Sequence, residues 1–192
     1  MLSSPRIRIR AIEEADLSLI ASWRSDPSIY EYFYEYLPIS LREQKNWYEK
    51  QLNNSNEFNF IVADINNKPI GTVSIYNIDR RNRKADWGRL VIGDKDYLSG
   101  GYGTEIEVLI LEYSFEHLNL HKLCCEVIED NANVIGLHEK FVFKNDGLMR
   151  DHAFKNGKYV NVVSMSLLDS EYMHEKNHGR LKDIRSKIFG NS

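Results

Sequence analysis

Near the start of the chain, Ile7, Ile9 and Ala11 alternate with Arg6, Arg8 and Arg10. This period-two pattern predicts a strand with one buried face. The spacing then changes. Leu17, Ile20, Ala21 and Trp23 fall on one helical face, which predicts a helix over 13–24. Glu13, Glu14 and Asp16 suit the positive end of its dipole, and Asp26-Pro27 ends it. After an aromatic and acidic stretch over 30–37, Pro38 and Ser40 open a second helix, with Ser40 and Glu43 at capping-box spacing. Strands follow over 58–64, 70–78 and 84–92. A turn at Asn66-Asn67-Lys68 and a charged turn over 79–83 join them.

The second half alternates elements. A glycine-rich run leads into an amphipathic stretch and a helix to about 117. A strand over 123–128 and a helix over 132–141 follow, with Asn131 as the cap. A strand over 142–154, bent at Asp146-Gly147, turns at Asn156-Gly157 into a return strand over 159–168. Residues 169–192 are charged and in part helical. The order is strand, two helices, three strands, helix, strand, helix, two strands. It describes an α/β (α+β) mixed sheet with both crossover helices in the second half. No repeat or low-complexity tract interrupts it.

Composition narrows the function classes. A chain of 192 residues is by default one domain with a sizeable core. The net charge of -3 offers no polyanion footprint, so nucleic acid is not expected as a partner. No apolar run approaches the roughly 20 residues of a membrane span, and the polar, basic N-terminus lacks a signal core. A cytoplasmic location is expected. Cys124 and Cys125 are adjacent and point to opposite faces of a strand, so they should not bond to each other.

The run from Tyr97 to Thr104 holds three of the eleven glycines. A glycine turn opening a helix aims backbone N–H groups and the positive helix end at one point, which suits a pyrophosphate. A Walker loop would need a lysine, and Thr104 has none before it. A dinucleotide fingerprint would need glycine where Ile106 stands. A plain helix-capping loop remains an alternative at this point.

Four segments together resemble the GNAT acetyltransferases, nearest the branch of ribosomal-protein N-terminal, spermidine and nucleotide-amino-sugar acetyltransferases. Tyr97 to Thr104 is similar to that family's pyrophosphate loop, Gln/Arg-x-x-Gly-x-Gly/Ala, with Gly101 and Gly103 at the small positions. Leu118-Asn119-Leu120-His121-Lys122-Leu123 resembles the turn into the fifth strand. Residues 131–143 resemble Asn-x-x-Ala-x-x-Leu-Tyr-x-Lys-x-Gly-Phe, and 157–168 the closing hairpin. The resemblance spans roughly 6–168. The sequence departs from the pattern at Leu98 (Gln/Arg in the family), Val134 (alanine), His138 (tyrosine) and Val142 (glycine).

The resemblance implies a single-domain, mostly antiparallel sheet flanked by helices over 1–168, with 169–192 as a tail. It implies acetyl transfer from acetyl-CoA to a primary amine by direct attack, with no metal. Leu98, Ser99, Gly100, Gly101, Tyr102, Gly103 and Thr104 would hold the pyrophosphate. Backbone groups of Leu90, Val91 and Ile92 would orient the thioester, and Asn131 would reach the cofactor. Asp86 would be the general base and His138 the acid for the departing thiolate. A lysine-like amine, with a pKa of about 10.4, is roughly one part in a thousand neutral at pH 7, so a base matters. The segment Tyr30-Glu31-Tyr32-Phe33-Tyr34-Glu35-Tyr36, with five aromatics and two acids, would help wall the acceptor site. Glu31, Tyr34 and Glu35 are its expected contacts, suited to a cationic amine or a stacked sugar. Trp23-Arg24-Ser25-Asp26-Pro27 resembles members acting on nucleotide-linked amino sugars. The acceptor is expected to be a small molecule such as an amino sugar or polyamine. The alternatives are a protein N-terminus, or a catalytically weak acyl-CoA binder. Exposed sheet edges make a homodimer plausible.

Overall fold

The structure, a computed structural model, describes residues 2–31, 33–34 and 38–190. Its strands are β1 (Leu2–Ser3), β2 (Ile7–Ala11), β3 (Phe58–Asp64), β4 (Pro69–Asp79), β5 (Lys84–Ile92), β6 (Lys122–Ile128), β7 (Lys144–Lys155) and β8 (Lys158–Leu168). They form one sheet in the order β1-β2-β3-β4-β5-β6-β8-β7. Among the described residues the pairs are antiparallel except β5 with β6, which run parallel. The helices are α1 (Leu17–Arg24), α2 (Pro27–Tyr30), α3 (Leu41–Gln51), α4 (Tyr102–Glu112), α5 (Ala132–Lys140), α6 (Asp169–His178) and α7 (Arg180–Phe189). A mixed, mostly antiparallel sheet flanked by helices was the expectation, and it is what forms.

Strand alternation sorts the core. Val62 and its neighbours on one face join Ile106, Leu109 and Ile110 of α4 in the main cluster. Ile61 and Ala63 point the other way and pack with Leu17 and Ile20 of α1. The C-terminal segment joins the first cluster. Tyr172 of α6 stacks on Phe115 at 4.7 Å between ring centroids, and Leu181 of α7 is buried.

Local chemistry explains most boundaries. Ser40 Oγ accepts from the Glu43 N–H at 3.2 Å while the Glu43 carboxylate accepts from the Ser40 N–H at 2.8 Å. This reciprocal pair fixes the start of α3. Asn156 and Gly157 both adopt left-handed φ values, 51° and 79°, as a two-residue hairpin requires. Register shifts in β7, one of them between Asn145 and Gly147, give the expected bend.

Three boundaries differ from expectation. The segment 13–24 is not one helix: Glu14–Asp16 forms a 3-10 turn before α1. Asp16 turns back to bond the Glu13 N–H at 2.9 Å and Arg10 at 2.7 Å and 2.8 Å, so it serves the turn rather than the α1 dipole. The helix after the glycine run ends at Glu112 and widens into a π-helical turn over Tyr113–His117. The strand expected from 142 begins at Lys144, because Val142 lies at φ 61°.

Val142 closes α5. The Phe143 N–H bonds the His138 carbonyl at 3.0 Å and the Val142 N–H bonds the Glu139 carbonyl at 3.1 Å. This is a Schellman motif, whose left-handed position normally holds glycine. A β-branched residue there is strained by roughly 1–2 kcal/mol. Val142→Gly should therefore raise the unfolding free energy by about 1 kcal/mol in urea titration; a decrease would mean that the valine side chain's packing outweighs the strain.

Candidate active site

The site grows from a defect in the sheet. In the β4–β5 ladder, Ser74 faces Gly88 and Thr72 faces Val91, so Val73 opposes two residues, Arg89 and Leu90. Arg89 takes φ 50°. Such a bulge bends its strand. β5 pairs with β6 only at Lys84–Lys122, Ala85–Leu123 and Asp86–Cys124. Beyond Asp86, the backbone of Leu90, Val91 and Ile92 has no partner in β6 and borders a slot between the two strands. Leu90, Val91 and Ile92 thus form a strand edge that is free on the β6 side.

The glycine run lies past the end of β5. Asp94 caps the 3-10 turn Lys95–Tyr97. The Tyr97 hydroxyl donates to Asp64 at 2.9 Å, and its ring meets Tyr102 edge-on at 5.0 Å. Gly100 and Gly101 take φ values of 86° and 82°. Gly101 is the N-cap of α4 and brings no side-chain cap. The first intrahelical bond runs from the Glu105 N–H to the Gly101 carbonyl at 3.3 Å. The N–H groups of Tyr102, Gly103 and Thr104 are thus left for another acceptor. The Leu98 N–H is engaged by the Lys95 carbonyl at 3.3 Å and its side chain is exposed. The available donors therefore begin after it. A Cβ on Gly103 would meet nothing within 4 Å. An uncapped helix end behind two left-handed glycines fits a pyrophosphate.

Asp86 and His138 occupy opposite faces of the sheet. Ala85 and Trp87 face α4 and α5, where the Trp87 ring lies 5.1 Å from the His138 imidazole. Asp86 points the other way. It is half-buried and accepts from the Asn77 amide at 2.7 Å. Burial pushes its pKa up; the Asn77 hydrogen bond opposes this, and the charge of Glu126 adds to it. Cys124 pairs with Asp86, so alternation along β6 puts Glu126 on the same face. The Tyr34 hydroxyl donates to Glu126 at 2.7 Å, and His152 meets the Tyr34 ring edge-on at 6.0 Å. Tyr76, opposite Asp86 in β4, has its pKa pushed up to about 12, by burial first and then by the Asp86 charge. Arg89 lies 4.3 Å over the Tyr76 ring and pairs with Glu57 at 3.1 Å.

His138 is 5% exposed and its Nδ1 lies 2.8 Å from Glu107 Oε1, itself fully buried on α4. Burial raises the Glu107 pKa, with His138 opposing. Asn131 Oδ1 accepts from the Val134 N–H at 3.4 Å and so serves as the cap of α5. Glu31 is exposed just after α2. Glu35 lies outside the described residues. The cysteines are free thiols, and burial raises the pKa of each.

Sequence reasoning missed Glu126, Tyr76, Asn77 and Glu107. Glu126 follows only once the parallel register places Cys124 beside Asp86. Glu107 leaves a fainter signal: it is an acid inside the apolar run from Ile106 to Leu111.

A sheet opened beside an uncapped helix end, with a carboxylate on one face, is the arrangement expected of a CoA-dependent transferase. The family model described as acetyltransferase (GNAT) domain matches residues 6–144. The chain belongs to the GNAT family and is an acetyl-CoA-dependent N-acetyltransferase of amines. A spermidine N(1)-acetyltransferase of Vibrio cholerae is 29% identical over 169 residues, covering 88% of this chain and 96% of that protein. One of Escherichia coli is 26% identical over 175 residues, covering 91% and 92%. A crystal structure of the spermidine N-acetyltransferase from Vibrio cholerae in complex with CoA and spermine matches with a TM-score of 0.82 at 29% identity. It covers 87% of this chain and 98% of that one.

Two outcomes follow from this geometry. Gly103→Leu should leave the melting temperature nearly unchanged while raising the KM for acetyl-CoA about tenfold or more, since the side chain enters the space before the helix end; tenfold corresponds to ~1.4 kcal/mol. His138→Leu should cost about 3 kcal/mol in urea titration, because it leaves the Glu107 carboxylate buried without a partner. Adding Glu107→Leu should recover most of that loss; no recovery would show that the pair is not energetically coupled.

Proposed function

We propose that the acceptor is a linear polyamine of the spermidine kind. The observation that carries this reading is the placement of Asp86 and Glu126 on one face at the mouth of the slot, framed by Tyr34 and Tyr76. Two carboxylates beside aromatic rings suit a chain with several ammonium groups: one amine reacts while another is held. Both curated relatives named above act on spermidine, as their names state. The residues that resembled amino-sugar enzymes have structural work instead. Trp23 is buried, and Asp26 caps α2 by accepting from the Ser28 N–H at 2.9 Å.

Asp86 acts as the general base. Its raised pKa makes it a stronger base than an ordinary carboxylate. It takes the proton from the ammonium group, and the freed nitrogen lone pair attacks the thioester carbonyl carbon. The C–N bond forms, the nitrogen gives up its second proton to solvent, the C–S bond breaks, and the sulfur leaves as a thiolate. The N–H groups at the start of α4 bind the donor's pyrophosphate, and the free edge of Leu90 to Ile92 orients its acyl end. His138, held by Glu107, supplies the proton to the leaving sulfur. A covalent route through cysteine is disfavoured because burial holds both thiols protonated.

The same reading includes a homodimer in the cytoplasm. Its support is the exposed outer strand β7, with Phe154 and Tyr159 standing 54% and 64% exposed at the hairpin tip. Light scattering that returns a monomer would refute the dimer, and cell fractionation would test the location. Among the described residues no helix is long and apolar enough to cross a membrane.

An amine panel of spermidine, spermine, nucleotide-linked amino sugars and short peptides tests the acceptor. Spermidine or spermine should give the highest kcat/KM. Asp86→Asn should lower it by about 10²–10⁴-fold at pH 7. Glu126→Gln should raise the polyamine KM about tenfold, or ~1.4 kcal/mol, with kcat nearly kept. A preference for an amino sugar or a peptide would overturn the reading.

A further inference from the structure

The glycine loop itself carries no cation. Between Leu98 and Glu105 there is neither lysine nor arginine, and the position where the family pattern places Gln or Arg is an exposed leucine. Arg6, distant in sequence and just ahead of β2, reaches this loop. Its Nη1 donates to the Gly100 carbonyl at 2.9 Å. Its guanidinium carbon lies 4.4 Å over the Tyr102 ring. Its Nε and Nη2 both engage the Glu105 carboxylate.

This placement is built rather than incidental. Glu105, in the first turns of α4, is 3% exposed, and its other carboxylate oxygen accepts from Ser4 Oγ at 2.6 Å. Ser4 Oγ also accepts from the Ile7 N–H at 3.2 Å, which ties the turn ahead of β2 to the helix. The anchor is buried, whereas the Arg6 side chain is 43% exposed. Three of its five N–H groups are engaged in these bonds and two remain. A Cβ on Gly101 would stand 3.9 Å from Arg6 Nη2, so the free part of the guanidinium borders the uncapped end of α4. By holding the Gly100 carbonyl, Arg6 also keeps that acceptor from facing an anion.

We propose that Arg6 is the cation of the pyrophosphate site, replacing from the turn ahead of β2 the polar side chain that the loop lacks at Leu98. A guanidinium fork matches two phosphate oxygens at once, and together with the helix N–H groups it completes a mixed backbone and side-chain cradle. The proposal rests on α4's N-terminus being the seat of the CoA pyrophosphate.

The test compares three acetyl donors: acetyl-CoA, its 3′-dephospho form, and S-acetylpantetheine, which has no pyrophosphate. Arg6→Ala should raise KM about tenfold for the first two and leave the third unchanged, with kcat kept throughout. Arg6→Lys should recover part of the loss. Arg6→Gln, which can still bond Glu105 and Gly100, covers the case in which the alanine variant does not fold, and it should show the same donor pattern. Equal losses with all three donors would mean that Arg6 only supports the fold. A loss confined to acetyl-CoA would move the contact to the 3′-phosphate. No loss at all would remove Arg6 from the site. Each of these three outcomes overturns the proposal. If the unmodified protein itself does not prefer acetyl-CoA to S-acetylpantetheine, the pyrophosphate seat is misplaced and the reading beneath the proposal fails instead.

Discussion

β5 and β6 share three residue pairs and then part. The rest of the site depends on that separation. A continuous ladder would satisfy the backbone of Leu90 to Ile92 and seal the sheet. The bulge at Arg89 and Leu90 bends β5 away, and the parallel direction of the pair brings the open ends of both strands to one place. The glycine loop after β5 and the cap of α5 after β6 then flank the same opening. Sheet alternation completes the division of labour. Asp86 and Glu126 look out on one face, and Trp87, backed by His138 and Glu107, closes the other.

The buried acids of α4 show how the helix is held in place. Glu105 and Glu107 both sit in an otherwise apolar stretch, at 3% and 0% exposure. Each is answered by a residue from elsewhere in the chain: Ser4 and Arg6 for the first, His138 for the second. A buried carboxylate without its partner is costly, so these pairs admit one register of α4 against β2 and α5. They specify where the helix end points, and hence where its free N–H groups converge.

What could be read from the sequence was local. The capping box at Ser40 and Glu43 and the hairpin at Asn156-Gly157 each depend on backbone chemistry within a few residues, and each forms where the pattern places it. What could not be read depends on long-range register. Glu126 joins Asp86 only through a parallel pairing that no spacing along the chain encodes. The helix start at Tyr102, inside the glycine run, depends on Gly100 and Gly101 both turning left-handed, and the strain at Val142 appears only once the end of α5 is known. The resemblance singled out Asp86 and His138 as candidates, and only the sheet shows that they lie on opposite faces.

The slot has a consequence for the protein's behaviour in solution. A gap between strands inside a sheet is an edge, with the same unpaired donors and acceptors that make outer strands prone to adhesion. The pantetheine arm of a bound donor carries amides and would lie along that edge like a missing strand. Donor occupancy and folding are then linked: free donor at a hundred times its dissociation constant adds about 2.7 kcal/mol to the stability of the folded state. Acetyl-CoA would thereby act on this enzyme both as a substrate and as a stabilising ligand of its fold.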